Sequence, residues 1–153
     1  MDIFGSTNTR KMPDNLFGGA IYKNYETAIC SNPEKQNCSV CPRYWYFDAE
    51  YICESCKTHF TWSAKEQKMW FEQYYFWVDS EPKNCKRCSA SRRKLKELRK
   101  EYDAIVASAR DGGSYDQMKR VVDIIGQFED MFSTIPSKIM DTKKLFERQI
   151  NKM

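Results

Sequence analysis

Histidine occurs once in this 153-residue chain, as His59. A two-histidine metalloprotease helix cannot be built from it, and nothing in the sequence builds a Ser-His-Asp triad around that single imidazole. Glycine and proline together supply 11 residues, too few for a fibrous or low-complexity chain. No apolar run approaches the roughly 20 residues of a membrane-spanning helix, so no membrane partner is expected. The opening MDIFGSTNTRKMPDNLFGG has no basic stretch followed by an apolar one. It does not read as a secretory signal, and a cytoplasmic location is expected.

What the chain does hold is unevenly placed. Hydrophobic residues are 41% and charged residues 30%, a globular balance. The net charge is +4, yet residues 1–82 carry 8 basic and 11 acidic side chains, and residues 101–153 carry 8 and 9. The basic excess lies in residues 83–100, with 9 Lys/Arg and 1 Glu. Such a stretch suits an anionic partner. Of the aromatic residues, 13 lie between 44 and 78, including all four tryptophans, whereas the later sequence is rich in Leu, Ile, Val and Met. Two regions with different core chemistry follow from that shift.

Residues 1–37 show little periodicity, and Pro13, Gly18-Gly19 and Pro33 interrupt them. They are expected to form an extended, partly disordered arm with a short apolar segment at 20–25. Tyr44–Phe47, Tyr51-Ile52 and Thr58–Trp62 have strand-forming character. Ser63-Ala64-Lys65-Glu66 reads as a capping box that opens a helix running to about Tyr74. A short strand or extended segment is expected over Tyr75–Val78.

Three helices follow: about 89–110 with Leu95, Leu98, Tyr102 and Ala109 on one stripe, about 115–132, and one from near Pro136. Gly112-Gly113 ends the first. Short connections predict a helical hairpin or small bundle. The stripe of the middle helix, with Val121, Val122, Ile125, Phe128 and Phe132, is more apolar than a two-helix contact readily covers.

Six of the seven cysteines fall in Cys-x-x-Cys pairs: Cys38/Cys41, Cys53/Cys56 and Cys85/Cys88, with Cys30 left over. In a reducing compartment that usage points to metal before disulfide. Two such turns complete a tetrahedral thiolate shell. Cys85/Cys88 opens a strong helix, whose N-terminus stabilises thiolates through free N–H groups and the macrodipole. This favours Cys53, Cys56, Cys85 and Cys88 as ligands. Pairing Cys38/Cys41 with Cys53/Cys56, or reduced cysteines without metal, are the alternatives.

The run Cys53-Glu-Ser-Cys56-Lys-Thr-His-Phe-Thr-Trp-Ser-Ala-Lys-Glu-Gln-Lys-Met-Trp-Phe resembles the bacterial "probable zinc-ribbon domain" family, a treble-clef type of zinc finger. The matching features are Phe60, Ser63, Glu66-Gln67, Trp70-Phe71, Pro82-Lys83, Cys85/Cys88 and Arg92-Arg93-Lys94, over about residues 44–95. The resemblance implies Zn2+ held by Cys53, Cys56, Cys85 and Cys88.

The expected fold is thus a small α+β zinc-binding module of treble-clef or zinc-ribbon type over 38–95, preceded by the arm 1–37. A helical tail over 96–153 completes it. Upstream, Cys30, Cys38 and Cys41 with His59 could assemble a second metal site if the chain folds back. The competing readings are a free-thiol arm and a redox-active Cys38/Cys41 dithiol. His59 otherwise reads as a surface residue.

A closed four-thiolate site leaves no coordination position for water, so the expectation is a non-catalytic protein without a small-molecule substrate. Its leading partner is RNA or DNA. Lys83, Lys86, Arg87, Arg92, Arg93, Lys94, Lys96, Arg99 and Lys100 could track phosphates. Exposed members of Trp45, Tyr46, Trp70 and Trp77 could stack bases. The runner-up is a protein-interaction adaptor that uses the apolar helical tail, with zinc purely structural.

Overall fold

The computed structural model describes residues 5–38 and 41–153. It divides into two units, Met1–Ser89 and Ala90–Met153.

The first unit is built on a three-stranded antiparallel sheet, β1 (Tyr22–Cys30), β2 (Trp45–Ile52) and β3 (His59–Trp62), in the order β1-β2-β3. In register, Tyr22 faces Glu50 and Cys30 faces Trp45 across β1–β2, and Ile52 faces His59 across β2–β3. The register of β1 shifts between Asn24 and Ile29. Thr27 holds that bulge: its hydroxyl donates to the Asn24 carbonyl (2.8 Å) and accepts from the Asp48 N–H (2.8 Å). Asp48 in turn accepts from the Ala64 N–H at 2.8 Å, which fixes the start of the following helix against the sheet.

Helix α1 (Ala64–Lys68) opens on the expected capping box and runs into a π-helical turn over Met69–Gln73. Gln67 explains how a short helix is tied to the sheet. It is fully buried, and its amide donates to the carbonyls of Phe47 (2.6 Å) and Trp62 (2.9 Å). Around it the core packs Tyr46, Phe47, Tyr51, Trp62 and Phe71. Each large apolar side chain so buried contributes roughly 1.5–3 kcal/mol. The Arg43 guanidinium is also fully buried, between the rings of Phe17 (4.4 Å) and Phe71 (4.5 Å), and its Nε donates to the Val78 carbonyl at 2.7 Å. Burial pulls its pKa down to about 10.

The early segment departs from the sequence expectation of an extended, partly disordered arm. It supplies the whole of β1, and Met12, Leu16 and Phe17 are buried members of the core, with Phe17 stacked on Phe47 at 4.5 Å. The physical reason is that β2 would otherwise leave a sheet edge and one face of Phe47 uncovered. Residues 1–4 of that arm lie outside the described residues.

The helices follow the periodicity closely: α2 (Lys86–Arg110), α3 (Tyr115–Met131) and α4 (Ser137–Ile150). A second capping box, Ser114/Gln117, opens α3. Within the second unit, Ala109, Met118, Val121, Ile125 and Phe146 form one cluster, and Leu98, Ile124 and Phe128 another. Most of the stripe that looked too apolar for a hairpin is therefore covered by three helices, while Phe132 at its end stays exposed. Among the described residues, no helix is long and apolar enough to cross a membrane.

Candidate metal centre

The first knuckle is the β2–β3 connection. The Cys53 N–H donates to the Thr58 carbonyl and the Lys57 N–H to the Cys53 carbonyl, both at 2.9 Å. The turn needs a left-handed residue, and Lys57 takes that conformation at φ 60°. The second knuckle is the start of α2: Cys85 immediately precedes the helix and Cys88 lies in its first turn. Two bonds lock the knuckles together. The Glu54 N–H donates to the Lys83 carbonyl at 2.9 Å, and the Ser55 hydroxyl donates to Asn84 Oδ1 at 2.6 Å.

The sulfurs of Cys53, Cys56, Cys85 and Cys88 all lie within 4.8 Å of one another, with Cys53 buried and the others half-buried. A tetrahedral ion with sulfurs at about 2.3 Å separates them by about 3.8 Å. The Cys56 and Cys85 sulfurs are 3.8 Å apart. The donor set, its spacing and its crowding therefore fit a metal ion that takes four thiolates.

The electrostatics are those of crowded sulfurs competing for protons. Cys56 is pulled down to about 6, chiefly by the Thr58 hydroxyl and N–H. Cys53 is lowered because backbone N–H groups at Cys56, Cys85 and Ser55 outweigh its desolvation. Cys88 is pushed up to about 12 by its hydrogen bond with Cys85 and by burial. Arg87 lies between the last two cysteines and is raised by a side-chain hydrogen bond to Cys56 and by the neighbouring sulfurs. It supplies positive charge where four thiolates and a divalent ion would leave two net negative charges.

The other cysteines do not join this group. Among the described residues, the four knuckle cysteines are the group of three or more ligand-type side chains drawn together tightly enough for an ion. Cys30 is exposed at the end of β1, and His59 is exposed at the start of β3. Cys38 and Cys41 are half-buried, and Cys41 is raised by burial, by Asp79 and by Cys38. The set Cys30, Cys38, Cys41 and His59, conceivable from sequence, is thus not assembled. Spacing along a chain cannot show where a strand end such as Cys30 will point.

All nine basic residues from Lys83 to Lys100 are exposed. Two are engaged in the first unit: Lys86 pairs with Glu66, and Arg87 serves the thiolates. Arg99 lies over the Phe132 ring at 5.7 Å. Of the aromatic residues considered for stacking, Tyr46 is buried, Trp45 and Trp70 are half-buried and Trp77 is exposed. Sequence reasoning missed Gln67 as the polar pin of the sheet and Glu66 as the partner of Lys86. Their only signal was the Glu66-Gln67 dipeptide itself.

Comparison with known proteins agrees with this geometry. No curated protein and no solved structure matches the chain. The family described as "probable treble clef domain" matches residues 47–97, which span both knuckles, β3, α1 and the start of α2. Those residues form a treble-clef domain with four cysteines grouped as a metal ion would require, carried in a chain about three times as long.

Proposed function

We propose that this protein is a non-catalytic zinc protein that binds nucleic acid through the basic face of α2. Zinc is the ion best suited to four thiolates in tetrahedral geometry, and such a shell has no open position for water or substrate. Cys53, Cys56, Cys85 and Cys88 would hold the ion, which stabilises the fold.

The observation that carries the binding role is the unspent charge on α2. Arg92, Arg93, Lys94, Lys96 and Lys100 are exposed and, among the described residues, form no ion pair. At 100° per residue, Arg92, Arg93, Lys96, Arg99 and Lys100 occupy an arc of about 120° turned away from the Leu95/Leu98/Tyr102 stripe. Unpaired cations on one helix face are suited to successive phosphates.

The test is fluorescence anisotropy with single-stranded RNA, single-stranded DNA and duplex DNA, from about 50 to about 300 mM salt. Binding should weaken steeply with salt and fall at least about tenfold in the Arg92→Glu/Arg93→Glu variant. Unchanged affinity in that variant would remove α2 as the interface. Elemental analysis should find one zinc per chain.

The adaptor reading keeps Tyr115, Phe132 and Leu145 as exposed apolar groups of the second unit. Its sequence argument was the uncovered stripe of α3, and Val121, Ile125 and Phe128 are buried.

A further inference from the structure

The first unit exposes a feature that neither the metal cluster nor α2 uses. Tyr74, Tyr75, Phe76 and Trp77 are consecutive aromatic residues, 60%, 57%, 45% and 42% exposed. A small domain that buries Tyr46, Tyr51, Trp62 and Phe71 nearby in sequence has the means to bury such rings. Phe76 lies against the Trp70 ring at 4.5 Å, and four consecutive rings left this exposed mark a binding surface.

Nor is the loop slack. It leaves the π-helical turn with the Tyr74 N–H donating to the Met69 carbonyl (2.9 Å) and the Phe76 N–H to the Trp70 carbonyl (3.2 Å). Tyr75 is held at φ 58°, a left-handed conformation that costs a non-glycine residue on the order of 1–2 kcal/mol. Asn37 fastens the other side: its side-chain amide donates to the Tyr75 carbonyl (3.4 Å), and its own carbonyl accepts from the Val78 N–H (3.2 Å). Strain retained in an ordered, exposed aromatic turn is typical of a recognition element.

Beside it the same π-helical turn walls a cleft of about 300 Å3 shared with Lys35, Lys65 and Lys68. All three lysines are exposed. The one carboxylate lining it, Glu72, accepts from the Asn32 N–H (2.7 Å) and the Tyr46 hydroxyl (3.2 Å) with one oxygen and pairs with Lys68 (3.9 Å) through the other, so Lys35 and Lys65 carry the charge in excess. The cleft is therefore net positive, and Met69 and Gln73 lead from it directly to Tyr74.

We infer that the aromatic turn 74–77 and the adjoining Lys35/Lys65/Lys68 cleft bind an unpaired nucleic-acid strand, with bases on the rings and phosphates in the cleft. The inference rests on the nucleic-acid reading above and names its substrate class. Exposed rings next to cations are the combination that single strands require: every base has a stacking face, and every step has a phosphate. A duplex hides its base faces and could use the lysines alone.

The experiment measures affinity of the full-length zinc-loaded protein for fluorescein-labelled U15, dT15 and a 15-base-pair DNA duplex across a salt series. Two variants accompany it, Tyr74→Ala/Tyr75→Gly and Lys35→Glu/Lys65→Glu, each checked for wild-type zinc content and melting. The aromatic variant should lose about tenfold or more for U15 or dT15, with its duplex affinity and salt slope unchanged. The lysine variant should bind single strands more weakly, with a shallower salt slope. If the double aromatic variant melts below wild type, Tyr74→Ala at the most exposed ring replaces it. Wild-type single-strand affinity in both variants, with binding still sensitive to Arg92→Glu/Arg93→Glu, would overturn this inference and leave the α2 interface standing. No binding of any probe by the wild type would overturn both. Comparing U15 with dT15 separates RNA from DNA as the strand recognised.

Discussion

Glu66 and Lys86 join the helix after the sheet to the second metal knuckle. One Glu66 carboxylate oxygen accepts from the Ser63 N–H at 3.0 Å, and the other pairs with the Lys86 ammonium. A residue of the capping box thus reaches the first turn of α2, between the two last cysteines. Glu66→Ala should lower stability by about 1 kcal/mol through loss of the cap. Lys86→Ala should cost less, because the Lys86 side chain is 88% exposed. Urea titrations of the two variants check the order, and a larger loss for Lys86→Ala would contradict it.

The same pair sets a pH dependence. Desolvation raises the Glu66 carboxyl, but Lys86 and the Ser63 N–H outweigh it, and the net shift is downward. A carboxyl lowered in the folded state adds stability that is complete above its unfolded pKa. That stability is lost as pH falls through the folded value. The stability difference between wild type and Glu66→Gln should therefore narrow on acidification below the ordinary carboxylate range. A difference constant with pH would show that the charge of Glu66 contributes nothing.

Removing a sulfur tests the cluster. Cys56→Ser or Cys85→Ser should abolish stoichiometric zinc and melt the first unit, since binding and folding of such sites are coupled. A chelator should reproduce the effect on the wild type. Cys30→Ser should change neither zinc content nor melting, because Cys30 is exposed and outside the cluster. Full zinc occupancy in Cys56→Ser would refute the ligand set.

Lys57 reports on the knuckle turn. Its φ of 60° suits glycine, tolerates lysine and punishes β-branching. Lys57→Gly should leave zinc content and melting near wild type, whereas Lys57→Val should cost about 1–2 kcal/mol. Equal melting temperatures for the two variants would show that the turn adapts.

Gln67→Leu keeps the volume of the side chain but strips its donors from the Phe47 and Trp62 carbonyls. Two buried acceptors lose a partner, at about 1–3 kcal/mol each where nothing replaces it. Denaturant unfolding should show a drop well beyond that of an exposed polar-to-Leu change.

The sequence revealed most where the signal is local. Helix periodicity, the Ser63 capping box and the spacing of Cys53/Cys56 and Cys85/Cys88 each depend on residues a few positions apart. The cluster, the treble-clef domain and the three helices follow from them. The early segment was opaque for the opposite reason. Phe17 meets Phe47, and Tyr22 meets Glu50, only after the chain has turned back. The bulge at Thr27 also breaks the alternation that would have marked β1. Arg43 and Gln67 are polar residues in a core, and no hydrophobicity pattern nominates such positions.

That Phe17 stacks on Phe47 also separates two kinds of boundary. The segment shared with other proteins runs from 47 to 97, but the packed core reaches back beyond β1 to Met12. The heritable module and the physical module are different lengths. A fragment cut at the family limits would keep every metal ligand and lose the strand that shields β2, leaving a sheet edge open to self-association. The early residues act as a built-in cover for the edge of β2.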